Sequence, residues 1–232
     1  MNDNYQAVQA DYGFSVPSLA ERNRVLRNTY LLLAVSLIPT ALGAWIGVTT
    51  GVIAAMGMMM SLVFFMAGSF AFMYAIEKTK ESGTGVAVLL AFTFFMGLML
   101  SRLLSAVLGF KNGGSLIMIA FGGTAGVFFA MASLATVVKR DLSNMGKFLF
   151  IGTIVLLAVG VMNIFMQSSA LMIALSVMGV VIFSGFLLFE IKRVLDGGET
   201  NYIAATTAIY LDIFNIFQNL LALLGIFGGE RD

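Results

Sequence analysis

The stretch LLFEIKRVLDGGETNYIAATTAIYLDIFNIFQNLLALLG, residues 187–225, reads as two apolar helices turned back on each other by a short polar reversal. A helix that crosses a bilayer needs about 20 predominantly apolar residues. This stretch belongs to two such runs, Ala170–Leu195 and Tyr202–Phe227, and DGGETN between them leaves room only for a tight connection. Each run carries one acid, Glu190 in the first and Asp212 in the second. Counted outward from the turn at 1.5 Å per residue, the two carboxylates fall within about one helical turn of the same depth.

Five more runs precede this hairpin, at Tyr30–Thr49, Val52–Ile76, Thr84–Leu108, Gly114–Val138 and Phe148–Met166. Their connections (TTG, EKTKES, GFKNG, KRDLSNMGK and QSS) are short, which makes sequential helices antiparallel neighbours. The expected fold is an all-α integral membrane protein, one compact bundle of seven transmembrane helices over 30–232, with residues 1–29 as a polar cytoplasmic tail. Composition agrees: 59% of the 232 residues are hydrophobic and 11% charged, with a mean hydropathy of +0.97. A soluble domain carries roughly 25% charged residues. In the tail, Ser18 and Glu21 have the spacing of a capping box, which starts a short interfacial helix over Ser18–Arg27. The first residues lack the apolar core and cleavage site of a secretory signal.

Lysines and arginines set the expected orientation. Ten lie on the N-terminal side (Arg22, Arg24, Arg27, Lys78, Lys80, Lys139, Arg140, Lys147, Lys192, Arg193) and three on the other (Arg102, Lys111, Arg231). This places the N-terminus in the cytoplasm and, after seven spans, the C-terminus outside. A re-entrant last segment would return the tail.

The composition also excludes chemistry. The chain has no cysteine and no histidine, so thiolate chemistry, the commonest zinc ligand and the commonest general base are absent. A net charge of +1 gives no reason to expect nucleic acid. No span interior carries a lysine for a retinal Schiff base, and Glu190 with YLD does not supply the GxGD element of an aspartyl intramembrane protease. The protein is therefore expected not to be an enzyme and to hold no tightly bound cofactor. The methionines of MGMMM (56–60) point around a helix instead of converging, which fits gap filling better than a Cu(I) site. In FGGTAGVFFAMA, Gly122, Gly126 and Ala130 at four-residue spacing suit a close helix approach, and equally reflect how common glycine and alanine are in membrane helices.

Ionisable residues inside spans are functional candidates by default. Asp212, Asn215 and Asn219 follow i, i+3, i+7 spacing and form one polar stripe flanked by Gln218, which faces the bundle interior or water. Asn219 and Gln218 read more simply as polar glue between helices. Two facing carboxylates in a low dielectric cannot both ionise cheaply, so Glu190 and Asp212 share a proton and sense pH as a pair. When both ionise, the doubled charge favours a hard cation. With the Asn215 amide, carbonyls and water they supply part of the 6–8 oxygens that Ca²⁺ takes, a weak site that suits permeation.

Residues 187–225, above all YLDIFNIFQNLLALLG, closely resemble the C-terminal signature of the transmembrane Bax-inhibitor-motif family. RNTYLLLAVSL (27–37) and FGGTAGVFF (121–129) resemble its bacterial YccA-like branch. The resemblance covers Arg27 to Phe227. It implies a seven-helix fold in the bacterial inner membrane, a pH-sensitive Ca²⁺ leak and a pH-sensing pair of acids matching Glu190 and Asp212. It also implies a possible partner, the membrane-anchored AAA protease FtsH, which one member of that branch modulates. Here the sixth-helix acid is Glu190 where relatives typically have Asp. The second span lacks the arginine that pairs with the acids in some relatives, and Ser101–Arg102 stands where relatives often have Gly–Pro. Arg102 is thus a candidate charge partner, although it falls near the opposite end of its span.

Overall fold

The computed structural model describes residues 18–230, and these form helices without any strand. Residues 1–17 of the expected tail, and Arg231, lie outside the described residues. Seven helices are long and apolar enough to cross a membrane, as expected.

α1 (Leu19–Thr50) begins at the expected capping box: the Glu21 amide donates to Ser18 Oγ at 3.3 Å, and the Ser18 amide donates to Glu21 Oε2 at 2.7 Å. The interfacial helix and the first span are one 32-residue helix. Nothing in ERNRVLRNTY breaks it, and Pro39 lies inside without ending it. The helix stops at Gly51, whose φ of 64° suits glycine.

The second span departs from the expectation of one helix over Val52–Ile76. It is divided into a single turn, α2 (Val52–Ala55), and α3 (Met58–Thr79), with Gly57 at φ 72° between them. Ser61 compensates the break, because its hydroxyl reaches the carbonyls of Gly57 at 2.6 Å and Ile53 at 3.1 Å. Met58, Met59 and Met60 are exposed on the outside of the bundle, so they do not fill gaps as expected. α3 lies at the periphery, which leaves them facing the lipid region.

α4 (Gly83–Leu108), α5 (Gly113–Val137), α6 (Ser143–Met166), α7 (Ser169–Leu195) and α8 (Tyr202–Gly228) complete the bundle. α4 and α8 are its most buried helices, and Leu89, Phe92, Tyr210 and Ile216 form the centre of the core. α1 and α4 meet most closely. A Cβ on Gly43 would strike the Phe94 carbonyl, one on Gly97 the Thr40 carbonyl, and one on Gly47 the Ser101 side chain. The expectation for Gly122, Gly126 and Ala130 is corrected: all three are exposed, and no atom lies within 4 Å of a Cβ placed on either glycine. α6, by contrast, packs against α7 alone among the described helices.

The connections sort into two ends. At the basic end, Gly85 of α4 touches Thr79 and Ile203, and Arg22 lies over Gly197. At the opposite end, Asn112 Nδ2 donates to the Gly228 carbonyl at 2.6 Å and the Glu230 amide to Asn112 Oδ1 at 3.1 Å. The last segment is therefore one full-length helix anchored at the opposite end, not a re-entrant one.

Candidate functional site

α7 and α8 are joined at the basic end by residues 196–201. Gly197 adopts φ 78°, and the amides of Gly198 and Glu199 turn back onto the Arg193 carbonyl at 2.9 and 3.3 Å. Asn201 then starts α8, its Oδ1 accepting from the amides of Ile203 at 2.9 Å and Ala204 at 3.0 Å. This reversal sets Glu190 and Asp212 at similar depth on adjacent helices.

Asp212 is 6% exposed, and its Oδ2 is buried with no hydrogen-bond partner among the described residues. Glu190 is close enough for the two charges to interact. The Glu190 side chain is 14% exposed and has a partner, since Arg193 Nη1 stands 3.5 Å from its Oε2. The two acids thus sit on helices packed against each other, one with an arginine beside it and the other with an oxygen that has no hydrogen-bond partner among the described residues. A carboxylate without a partner in a low-dielectric interior is costly to keep charged.

The amides of the stripe behave differently from cross-helix glue. Asn215 Nδ2 donates to the Leu211 carbonyl at 2.7 Å, and Asn219 Nδ2 donates to the Asn215 carbonyl at 2.8 Å, both within α8. Asn219 nevertheless faces α7: a Cβ on Gly179 would come within 2.7 Å of its amide group. Gln218 is half-buried beside them.

Arg102 does not reach the acids. Its Nη1 donates to Ser61 Oγ at 3.3 Å, at the break between α2 and α3 near the opposite end. The missing second-span arginine is thus not replaced by Arg102; the cation beside Glu190 is Arg193, one turn along the same helix. Sequence reasoning passed over Arg193 because a basic residue at a span end reads first as a topology signal. Its i, i+3 spacing from Glu190 was the available clue.

A second polar contact was also missed, on the other side of α8. The Tyr210 hydroxyl lies 2.8 Å from Thr40 Oγ1 and donates to the Thr93 carbonyl at 3.4 Å, joining α8 to α1 and α4. Nearer the basic end, Thr206 Oγ1 donates to the Tyr202 carbonyl at 2.6 Å and also approaches the Thr29 carbonyl at 3.3 Å.

No group of three or more histidine, cysteine or acidic side chains that could hold a metal occurs among the described residues. Two carboxylates fall well short of the 6–8 oxygens of a resident Ca²⁺ site.

The chain is an all-helical bundle of seven apolar spans with an acid on each of its last two helices. The family described as Inhibitor of apoptosis-promoting Bax1 matches residues 22–229, and the chain belongs to this Bax inhibitor family. Among individual relatives, the chain is 38% identical over 208 residues to the modulator of FtsH protease YccA of Escherichia coli (strain K12), covering 90% of this chain and 92% of that one. It is 35% identical over 212 residues to an uncharacterized membrane protein of Vibrio cholerae serotype O1, covering 91% and 93%. It is also 35% identical over 226 residues to the uncharacterized protein PA2604 of Pseudomonas aeruginosa, covering 97% and 99%. The resemblance seen in the sequence is a family membership.

Proposed function

We propose that this protein is a pH-sensitive cation leak of the bacterial inner membrane, with Ca²⁺ the favoured ion and Glu190 and Asp212 as the sensing and binding pair. One observation carries the reading: Asp212 Oδ2 is buried with no hydrogen-bond partner among the described residues, on a helix packed against the one that carries Glu190. A proton or a cation completes such a pair, and exchange between them links pH to permeation. Asn215 and Asn219 line the same face. The binding is transient, so the protein keeps no cofactor, and no enzymatic step is required of it. The basic end faces the cytoplasm, following the excess of lysine and arginine there.

Neutralising Asp212 as Asp212→Asn should remove the pH dependence of Ca²⁺ flux in proteoliposomes. Flux identical to the parent at every pH would overturn the leak.

A second reading is supported by the relative from Escherichia coli, whose name makes it a modulator of FtsH protease. On this reading the chain binds and restrains that protease without transporting anything, and its polar N-terminal stretch is the handle. Deleting residues 1–20 should then weaken association with FtsH and change the half-life of the chain. An unchanged pull-down and half-life would count against it.

A further inference from the structure

We propose that Arg193 is the counter-ion of Glu190 and that, held by Glu199, it closes the Glu190–Asp212 pair off from the basic end. The inference rests on reading these acids as the functional pair, and it assigns Glu190 its charge partner and the pair its guard.

Two different nitrogens of one guanidinium are used. Nη1 stands 3.5 Å from Glu190 Oε2, while Nη2 donates to Glu199 Oε2 at 3.1 Å. Arginine suits such a position, because its planar fork offers donors in two directions at once. Glu199 is in turn fixed. Its Oε1 accepts from the Asn201 amide at 2.9 Å, and the turn at Gly197 folds its backbone onto the Arg193 carbonyl. Asn201 extends the chain of contacts, with Nδ2 donating to the Lys80 carbonyl at 2.9 Å and to Glu81 Oε1 at 3.0 Å. A polar strap thus runs from the intramembrane acid through Arg193, Glu199 and Asn201 to the connection between α3 and α4.

Other charged groups at this end are engaged elsewhere, although Lys80, whose Nζ donates to Glu77 at 2.6 Å, also acts on Glu199. Lys192 Nζ pairs with Asp196, and Asp141, between α5 and α6, feels Lys192. Arg22 of α1 lies over Gly197, where a Cβ would meet its Nε at 2.8 Å. Asp212 is the charged group that faces Glu190 from α8. When a proton or an entering cation neutralises Glu190, the attraction for Nη1 is lost while Glu199 still holds Nη2. Arg193 then swings aside without leaving the strap, and the path to Asp212 opens.

The chain contains no cysteine, so one introduced thiol is a clean reporter. Asn215→Cys, one turn beyond Asp212, would be labelled with a membrane-impermeant maleimide in inside-out vesicles. Arg193→Gln should speed labelling by about tenfold, the factor carried by one charge-assisted contact. Arg193→Lys should restore most of the protection, and Glu199→Gln should fall between parent and Arg193→Gln. Equal rates in the parent and Arg193→Gln would overturn the proposal. So would a parallel rise at Thr93→Cys, buried on the Tyr210 side, because that would report a loosened bundle. Ca²⁺ flux through the parent reads the leak separately. Arg193-dependent labelling without flux removes the leak and keeps the guard, and flux with Arg193-independent labelling does the reverse.

Discussion

Tyr210 and Asp212 stand two residues apart on α8, one with its hydroxyl engaged by two other helices and one with a buried oxygen that no described residue engages. Two helical steps rotate a side chain by about 200°, so the neighbours face opposite sides of one helix. On the Tyr210 side, α8 meets α1 and α4, which glycines bring into backbone contact. On the Asp212 side it meets α7, which alone carries the peripheral α6. The difference separates two uses of polar groups in a membrane. Satisfied ones join helices into a scaffold, while an unsatisfied acid has a state left to change.

The largest effect should come from one of the closest backbone approaches of the scaffold. Gly43→Ala places a methyl against the Phe94 carbonyl, and backbones cannot yield as side chains do. Overpacking of this kind costs about 1–3 kcal/mol, seen as a lower unfolding temperature in detergent. Gly126→Ala, with nothing within 4 Å, should not destabilise and should gain the helix preference of alanine, up to about 1 kcal/mol. Similar losses in both variants would show that the two glycine pairs are equivalent after all.

The contrast across α8 predicts a crossed result of middle size. Tyr210→Phe removes the contacts to Thr40 and Thr93 and should lower stability by about 1 kcal/mol, the usual worth of a hydrogen bond within a membrane bundle. It should leave the pH profile of Ca²⁺ flux in place. Asp212→Asn should do the opposite, because a neutral group of similar shape replaces a carboxylate whose Oδ2 makes no hydrogen bond among the described residues. Parallel effects on unfolding temperature and flux in both variants would erase the distinction between scaffold and site.

The spans were legible because long apolar runs and short connections admit few arrangements, and Glu190 and Asp212 because an acid in such a run is conspicuous. What the sequence concealed shares a cause. Gly43 and Gly47 have the same four-residue spacing as Gly122 and Gly126, and spacing does not say which pair meets a neighbour. MGMMM is uniformly apolar, so the break at Gly57 leaves no trace in hydropathy. Residues 22–27 are polar but contain no breaker, so polarity marks the membrane boundary without interrupting α1. Arg102 and Arg193 were distinguished only by depth and reach, which depend on where each helix begins.

The smallest effect is expected at the start of the peripheral helix. Asp141 Oδ1 accepts from the Ser143 hydroxyl at 2.6 Å and from the Ser143 amide at 2.9 Å, and these bonds, the hydroxyl first, hold its carboxyl below the usual range. A lowered value means that the ionised form is favoured by folding. The stabilisation is complete above the ordinary aspartate value of roughly 4 and is lost as pH falls through the lowered one. The group is fully exposed and water screens it, so the loss should stay local. Hydrogen exchange at the amides of residues 143–146 should quicken on strong acidification, beyond the intrinsic change with pH, and Asp141→Ala should be fast at both pH values. Because α6 is held by α7 alone, its first turn is where a weak cap can be read at all. Equal protection in parent and variant at neutral pH would mean that packing on α7, and not Asp141, sets the start of α6.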